Sequence, residues 1–148
     1  NRKKKGLVQT SRPAISINDV DLPQHRLTEA RIVEIDWKST KNLSVAEIEL
    51  VIKEFYKAFV PEIIAVTEKG MSRYFIMFFE AYENYPKFKD MVRVLYKELK
   101  ERLAEEYKKE GVENSEIEAI KLIAKYEGIL FWFAIYPEEK VEKMIAEL

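Results

Sequence analysis

The chain has 148 residues, of which 47% are hydrophobic and 34% are charged, so it can bury a sizeable core and keep a solvated surface. This composition excludes a globally disordered chain and leaves room for one domain, or for one domain with an appendage. The chain contains no cysteine, which excludes disulfides and thiolate metal sites and fits a cytoplasmic protein. Heavy use of Lys and Glu is also typical of thermophile proteins.

The net charge of -1 is unevenly distributed along the chain. Residues 1–44 contain nine basic and five acidic side chains, whereas residues 45–148 contain 16 basic and 21 acidic ones. The acidic part lacks the excess positive charge that holds a phosphate backbone. No run of about 18 uncharged apolar residues occurs, so we expect no membrane span.

Residues 1–42 are predicted to be a basic leader or linker. Alternating apolar residues at 14–18 and 31–37 are typical of short strands. The second patch is equally compatible with a helix that begins at Thr28. The basic run Arg2–Lys5 is interpreted as a solvated terminus, with a nonspecific nucleic-acid arm as the alternative.

The first predicted helix spans residues 43–60. It opens with the capping box Ser44-Val-Ala-Glu47, in which the serine caps the first turn and the glutamate reaches back to it. Behind the box, apolar residues recur every three or four positions from Ile48 to Phe59. This face is expected to pack against the rest of a bundle.

The second predicted helix begins at Pro61, because proline suits the first turn of a helix. It ends at Asn84-Tyr85-Pro86. A break or kink is expected at Gly70, since glycine inside a helix costs up to about 1 kcal/mol relative to Ala. The helix has more aromatic area than a single buried stripe needs, in Tyr74, Phe75, Phe78, Phe79 and Tyr82.

Three further helices are predicted after the second one. The third spans residues 87–110 and stops at Gly111. The fourth opens with a second capping box, Ser115-Glu-Ile-Glu118, and residues 128–136 near its end are apolar almost all round. Pro137 ends it and begins a short fifth helix. The sequence therefore predicts an all-α fold, an antiparallel bundle of about five helices from residue 43 onward.

Several stretches of the helical part have an order known from one protein family. Phe78–Phe88 is a predicted helix that ends in a polar-aromatic-proline break, and a long helix, Asp90–Lys109, follows it. Glu118–Phe133 then has a glycine before an apolar run, and Pro137-Glu-Glu139 precedes a short final helix. In these features residues 43–148 resemble the ligand-binding, dimerising C-terminal domain of TetR-type transcriptional regulators.

The junction with the leader is similar to a second feature of that family. Trp37-Lys-Ser-Thr-Lys-Asn-Leu43 looks like the aromatic-x-Ser-Lys-x-x-Leu segment that ends the family's DNA-binding domain, with Thr40 in place of the lysine. The helix-turn-helix that precedes this segment in the family is not recognisable in residues 1–42. Either the DNA-binding helices belong to a segment missing upstream of Asn1, or the leader is something else.

The resemblance implies a function for the helical part. It implies the effector-binding and dimerisation domain of a transcription regulator, a cytoplasmic homodimer that binds an apolar or aromatic small molecule. Effector binding is expected to shift the spacing of two DNA-reading domains by favouring one of two packings. Contact with DNA is expected only through a segment that is not recognisable in this chain.

The candidate ligand site centres on the aromatic face of the second predicted helix. Ligand pockets are mostly apolar and aromatic with a few placed polar groups, and methionines add adaptable walls. Core packing is the simpler interpretation for each ring on its own. Glu127 either faces solvent or pairs with a basic residue or, if buried, anchors a cationic or hydroxylated ligand. The predicted lining is Met71, Tyr74, Phe75, Phe78, Tyr82, Met91, Leu95 and Glu127.

The apolar end of the fourth predicted helix is the candidate dimer interface. A helix that is apolar all round must be covered on several sides, and in so small a bundle a second copy of the chain is the expected cover. Packing within one chain is the alternative. Aromatic residues dominate interface hot spots, so Trp132 and Tyr136 are the expected anchors. The predicted interface is Ile129, Trp132, Phe133, Tyr136, Met144 and Ile145.

No enzymatic activity, cofactor or metal site is expected. His25 is the only histidine, and it has no Ser or Cys partner in a recognisable arrangement. The sequence has no phosphate-cradling glycine loop, nucleophile elbow or zinc motif. The alternative to a TetR-like regulator is a helical protein–protein interaction module of a non-enzymatic complex, with the leader as its docking arm.

Overall fold

The structure, a computed structural model, describes residues 40–67 and 70–148, apart from the side chains of Val66 and Val141. Within these ranges there are helices and no strands, so the predicted all-α fold is confirmed. The predictions for the leader, including His25 and the possible strands, lie outside the described residues. The helices are α1 (Val45–Thr67), α2 (Met71–Asn84), α3 (Pro86–Lys109), α4 (Ser115–Ile135) and α5 (Val141–Ala146).

The start of α1 forms the predicted capping box. The backbone N–H of Ser44 donates to Oε1 of Glu47 at 3.0 Å, and the backbone N–H of Glu47 donates to Oγ of Ser44 at 3.2 Å. Two N–H groups that have no partner inside the helix are thereby satisfied. The sequence signal and the local structure agree at this end of the helix.

The prediction that a second helix begins at Pro61 is wrong, because α1 continues through this residue to Thr67. Proline inside a helix removes one backbone hydrogen bond and crowds the preceding turn. The neighbours offset that cost, since Val60 and Ile63 are completely buried in the core. Burying an aliphatic side chain of this size contributes about 1.5–3 kcal/mol, so packing outweighs the local preference.

The break predicted at Gly70 is confirmed. Gly70 has a φ of +81°, a conformation that side chains with a Cβ rarely adopt, and α2 begins at the next residue. The hydroxyl of Thr67 at the end of α1 donates to the carbonyl oxygen of Gly70 at 3.0 Å. The break therefore has a defined geometry, and it separates α1 from α2.

The end of α3 follows the prediction and the start of α4 does not. Gly111 has a φ of +80°, and the N–H of Val112 donates to the carbonyl oxygen of Tyr107 at 3.0 Å, as in a Schellman motif. At the start of α4, Asn114 is the N-cap in a left-handed conformation, and Ser115 is already helical. The capping box predicted from Ser115 is therefore not formed. The fifth helix also begins later than Pro137, at Val141.

The helices enclose two groups of buried apolar residues. The larger group lies among all five helices and includes Ile48, Leu103, Tyr126 and Leu130. The smaller group joins α2 to α3 and consists of Ala81, Phe88, Met91, Val92 and Leu95. The two groups meet at Phe78 of α2, which packs against both, and α3 also contributes Leu103 directly to the larger group.

None of the described helices is both long enough and apolar enough to cross a membrane.

Candidate ligand-binding groove

An open groove of about 1110 Å³ lies between α3 and α4, with one residue of α2 at its edge. Its volume is at the upper end of the range usual for small-molecule sites. Val94 and Ile120 give it exposed apolar walls, and they are 49% and 48% exposed. The lining residues are Tyr82, Asp90, Val92, Arg93, Val94, Tyr96, Lys97, Lys100, Ile120, Ile123, Ala124 and Glu127.

Glu127 lines this groove and connects it to the neighbouring helices. Oε2 of Glu127 accepts a hydrogen bond from the hydroxyl of Tyr96 at 2.7 Å and another from the hydroxyl of Tyr56. Tyr56 lies on α1, Tyr96 on α3 and Glu127 on α4, so the contact joins three helices. Hydrogen bonds to an ionised carboxylate are roughly twice as strong as neutral ones. Both donors converge on one oxygen, and Oε1 receives neither of them.

Burial controls the protonation of this cluster. Burial raises the pKa of the Glu127 carboxyl, while the hydrogen bonds from Tyr56 and Tyr96 oppose the rise. Burial also raises the pKa of both tyrosine hydroxyls, and the negative charge of Glu127 adds to that effect. The hydroxyls therefore remain protonated donors, and the carboxyl binds a proton more readily than an exposed glutamate does.

A second contact between a glutamate and a tyrosine joins α1 to α4 next to the first. The hydroxyl of Tyr126 donates to Oε2 of Glu49 at 2.7 Å, and Nζ of Lys125 donates to the same oxygen at 2.6 Å. Burial alone raises the pKa of Glu49, but the hydrogen bonds from Lys125 and Tyr126 lower it below its usual value overall. The Tyr126 ring also stacks on Tyr56, with ring centroids 5.6 Å apart, within the range of about 4.5–7 Å typical of aromatic pairs.

Most of the residues predicted to line a pocket belong to the cores instead. Met71 and Tyr74 are buried in the larger core, where the Tyr74 ring lies 5.7 Å from Phe59 and 5.8 Å from Phe78. Phe75 is partly buried against the same core. The rings of α2 therefore fill space between helices, which is the simpler of the two interpretations offered by the sequence.

The remaining predicted lining residues divide between the smaller core and the groove. Met91 and Leu95 are both 4% exposed and belong to the core between α2 and α3. Tyr82 and Glu127 line the groove. The sequence did not single out Tyr56 or Tyr96, although a tyrosine among apolar helix positions is a residue type that needs a hydrogen-bond partner when buried.

The apolar end of α4 has one buried side and one exposed side. Phe133, on α4, and Ile145, on α5, are 3% and 1% exposed and belong to the chain's own core, while Ile129 and Met144 are partly buried. Trp132 is 44% exposed. The exposed apolar face of α4, as we use the term below, consists of Phe131, Trp132, Ile135 and Tyr136.

Arg102, a partly buried residue of α3, contacts the segment that precedes α1. Nε of Arg102 donates to the hydroxyl of Thr40 at 3.1 Å, and its guanidinium also donates to the carbonyl oxygens of Thr40 and Leu43. Arg102 further donates to Oε2 of Glu106 at 2.7 Å. Hydrogen bonds from Lys109 and from Arg102 lower the pKa of Glu106, so its carboxylate stays charged beside the arginine. The junction before α1 is thus attached to the helix that forms one wall of the groove.

No group of three or more His, Asp or Glu side chains that could hold a metal ion occurs in the described part of the chain. Comparisons of the chain with protein-family models, with curated proteins and with solved structures give no match. We therefore infer a function from the groove and from the exposed apolar face of α4.

Proposed function

We propose that residues 43–148 are the effector-binding and dimerisation domain of a TetR-like transcription regulator. The effector is an apolar or aromatic small molecule that occupies the groove between α3 and α4. The observation that carries this proposal is the position of Glu127, a mostly buried carboxylate that two tyrosine hydroxyls hold beside the apolar side chains of a groove. Apolar walls around a few oriented polar groups are the usual composition of small-molecule sites.

The exposed apolar face of α4 supports the dimerisation part of the proposal. Its four large side chains are between 43% and 63% exposed, and the rings of Trp132 and Tyr136 lie 4.7 Å apart. In a two-fold dimer the same face of each copy meets its counterpart. The aromatic residues of one copy are then buried against those of the other. Contiguous exposed apolar surface of this kind marks interaction sites in soluble proteins.

The contacts of α3 support a link between the groove and the preceding segment. One part of α3 contributes Tyr96 to the groove, and two turns later Arg102 holds Thr40 and Leu43. If an effector binds more tightly when α3 takes one of two placements, it also favours the corresponding placement of the segment that precedes α1. DNA contact belongs to a segment outside residues 40–148, and the protein acts in the cytoplasm.

Native mass spectrometry of the purified full chain tests both parts of the proposal. We expect a dimer that retains, or takes up, an apolar small molecule. Trp132→Glu is expected to weaken the dimer by about 2 kcal/mol or more, a loss of roughly 30-fold in affinity. Phe79→Glu is the matched control, because Phe79 is an exposed aromatic residue, 54% exposed, that belongs to α2 and not to this face.

A monomer that takes up no small molecule would contradict the proposal. A stoichiometric complex with another protein, formed by the wild type and lost in Trp132→Glu, favours the second candidate function, a helical protein–protein interaction module. The exposed apolar face of α4 is the observation that supports this second candidate.

A further inference from the structure

Glu49 and Glu127 both accept hydrogen bonds from tyrosine hydroxyls between α1 and α4, but only Glu49 has a cationic partner among the described residues. Glu49 has a cation of its own, because Nζ of Lys125 lies 2.6 Å from Oε2. Lys125 also lies over the ring of Tyr126, with its Nζ 5.3 Å from the ring centroid. Glu127 has two tyrosine hydroxyls, and among the described residues no lysine or arginine forms an ion pair with it. The first carboxylate is therefore neutralised within the chain and the second is not.

The basic residues of the groove do not supply the missing cation. Lys97 pairs with Glu101 at 3.4 Å, and Lys100 pairs with Glu116 at 3.2 Å. Arg93 and Asp90 also line the groove and are one helical turn apart on α3. With these partners included, the groove has three basic and four acidic side chains, so its local charge does not exclude a cationic ligand.

We propose that the groove binds an organic ammonium ion with an apolar body, and that the ammonium group occupies beside Glu127 the place that Lys125 occupies beside Glu49. This assignment rests on the proposed function, because it names the chemical class of the effector. Oε1 of Glu127, which neither tyrosine hydroxyl contacts, accepts from the ammonium group. Ile120, Ile123 and Ala124 of α4 contact the apolar body.

Two physical effects favour an ammonium ion over a neutral ligand of the same shape. A hydrogen bond between two charged groups contributes more than one between neutral groups, especially where water is partly excluded. The ring of Tyr96 also lines the groove, and aromatic faces attract cations, as the Tyr82 ring does with Lys89 at 5.4 Å. The contact between Lys125 and the Tyr126 ring shows the same pair of interactions inside this chain.

Binding of an ammonium ion at Glu127 should also depend on pH, because the ion and a proton compete for the same carboxylate. Because burial raises the pKa of Glu127, this carboxyl takes up a proton at a higher pH than an exposed glutamate does when no ligand is bound. A bound cation favours the ionised carboxylate, so it lowers that pKa and its affinity falls as the pH is lowered. The titratable and charged groups around Glu127 are Tyr56 of α1, Tyr74 and Tyr82 of α2, and Asp90, Arg93, Tyr96, Lys97 and Lys100 of α3.

Isothermal titration of the full chain with octylammonium, octanol and octanoate tests the assignment at neutral pH. The three probes share one apolar body and differ in the charge of the head group. We expect octylammonium to bind most tightly and octanoate most weakly. Glu127→Gln is expected to weaken octylammonium binding roughly 10-fold to 100-fold and to change octanol binding little. Glu113→Gln, an exposed change of the same charge outside the groove, is the control.

A second variant blocks the groove without changing its charge. Ala124→Trp fills the groove from α4 and is expected to abolish binding of all three probes. Ala58→Trp, at an exposed position of α1 outside the groove lining, is its matched control. Circular dichroism of each variant checks that the helices remain folded.

The outcomes separate the two proposals. If octanol binds as tightly as octylammonium, or if Glu127→Gln leaves octylammonium binding unchanged, the ammonium assignment is overturned and a small-molecule groove remains. If octylammonium binds equally well to Ala124→Trp, the site lies elsewhere and the assignment is overturned. If the wild type binds none of the probes, the proposed effector function is contradicted as well.

Discussion

Glu49 and Glu127 lie on opposite helices, α1 and α4, and each accepts hydrogen bonds from tyrosine hydroxyls. Glu49 and its partners form a closed contact, because Lys125 supplies the counter-charge and the Tyr126 ring is 1% exposed. Glu127 borders an open groove and has no such lysine among the described residues. The same residue types therefore form a closed ion pair at one place and border the groove of the proposed function at the other.

The largest expected difference between the two contacts concerns their tyrosine rings. Tyr126→Ala removes a fully buried ring and is expected to lower the free energy of unfolding by about 3–5 kcal/mol. Tyr96→Ala removes a ring that is 37% exposed at the groove and is expected to cost about 1 kcal/mol. Urea unfolding followed by circular dichroism measures both values. Equal losses would show that the Glu127 contact stabilises the fold as much as the Glu49 contact does.

Neutralising the two glutamates is expected to change the free energy of unfolding by smaller amounts, and the two changes should have opposite signs. Glu49→Gln loses a charge-assisted contact with Lys125 that is partly exposed, so we expect a loss of about 1 kcal/mol. Glu127→Gln replaces a buried charge that lacks a counter-ion, and we expect unchanged stability or a gain of up to about 1 kcal/mol. Thermal unfolding of both variants at neutral pH checks the signs. A clear loss of stability in Glu127→Gln would contradict the distinction.

The smallest expected effect is the opposite pH dependence of the two carboxyls. The pKa of Glu49 is lowered in the folded state, so its stabilisation is present above the pKa of an ordinary glutamate and is lost as pH falls through the lowered value. The pKa of Glu127 is raised, so the folded state gains stability as pH falls through the raised value towards the ordinary one.

The free energy of unfolding can be measured from neutral to acidic pH for the wild type, Glu49→Gln and Glu127→Gln. These curves separate the contribution of Glu49 from that of Glu127. The stability gap between Glu127→Gln and the wild type should close as the pH is lowered from neutral. The advantage of the wild type over Glu49→Gln should persist in that range and disappear only at more acidic pH. Parallel curves for the two variants would argue against different roles.

The helices could be predicted where the signal is local. The capping box at Ser44, the break at Gly70 and the stop at Gly111 each depend on a few neighbouring residues, and all three are present. The helix start predicted at Pro61 failed because Val60 and Ile63 are buried in the core, which no local rule includes. At the start of α4, Asn114 took the capping position expected for Ser115.

The candidate site could be predicted only in part. Glu127 was recognised as a carboxylate in an apolar stretch, and Tyr82 as one of the aromatic residues of the second predicted helix. Tyr56 and Tyr96 are 71 and 31 positions away from Glu127, so their contact with it depends on how three helices pack. The aromatic residues of α2 gave the stronger sequence pattern, yet Tyr74 and Phe78 pack in the cores. Sequence periodicity identifies apolar faces but does not show which of them meet.

The most direct test of a small-molecule site at Glu127 is an NMR titration of the glutamate side-chain carboxyl carbons, with octylammonium added to the full chain. We predict that the Glu127 carboxyl signal shifts and that the pKa of Glu127 falls when octylammonium binds. The Glu49 signal should stay unchanged, because Lys125 already provides the cation beside that carboxylate. A shift of both signals together, or binding that leaves the Glu127 signal unmoved, would contradict a binding site at this carboxylate.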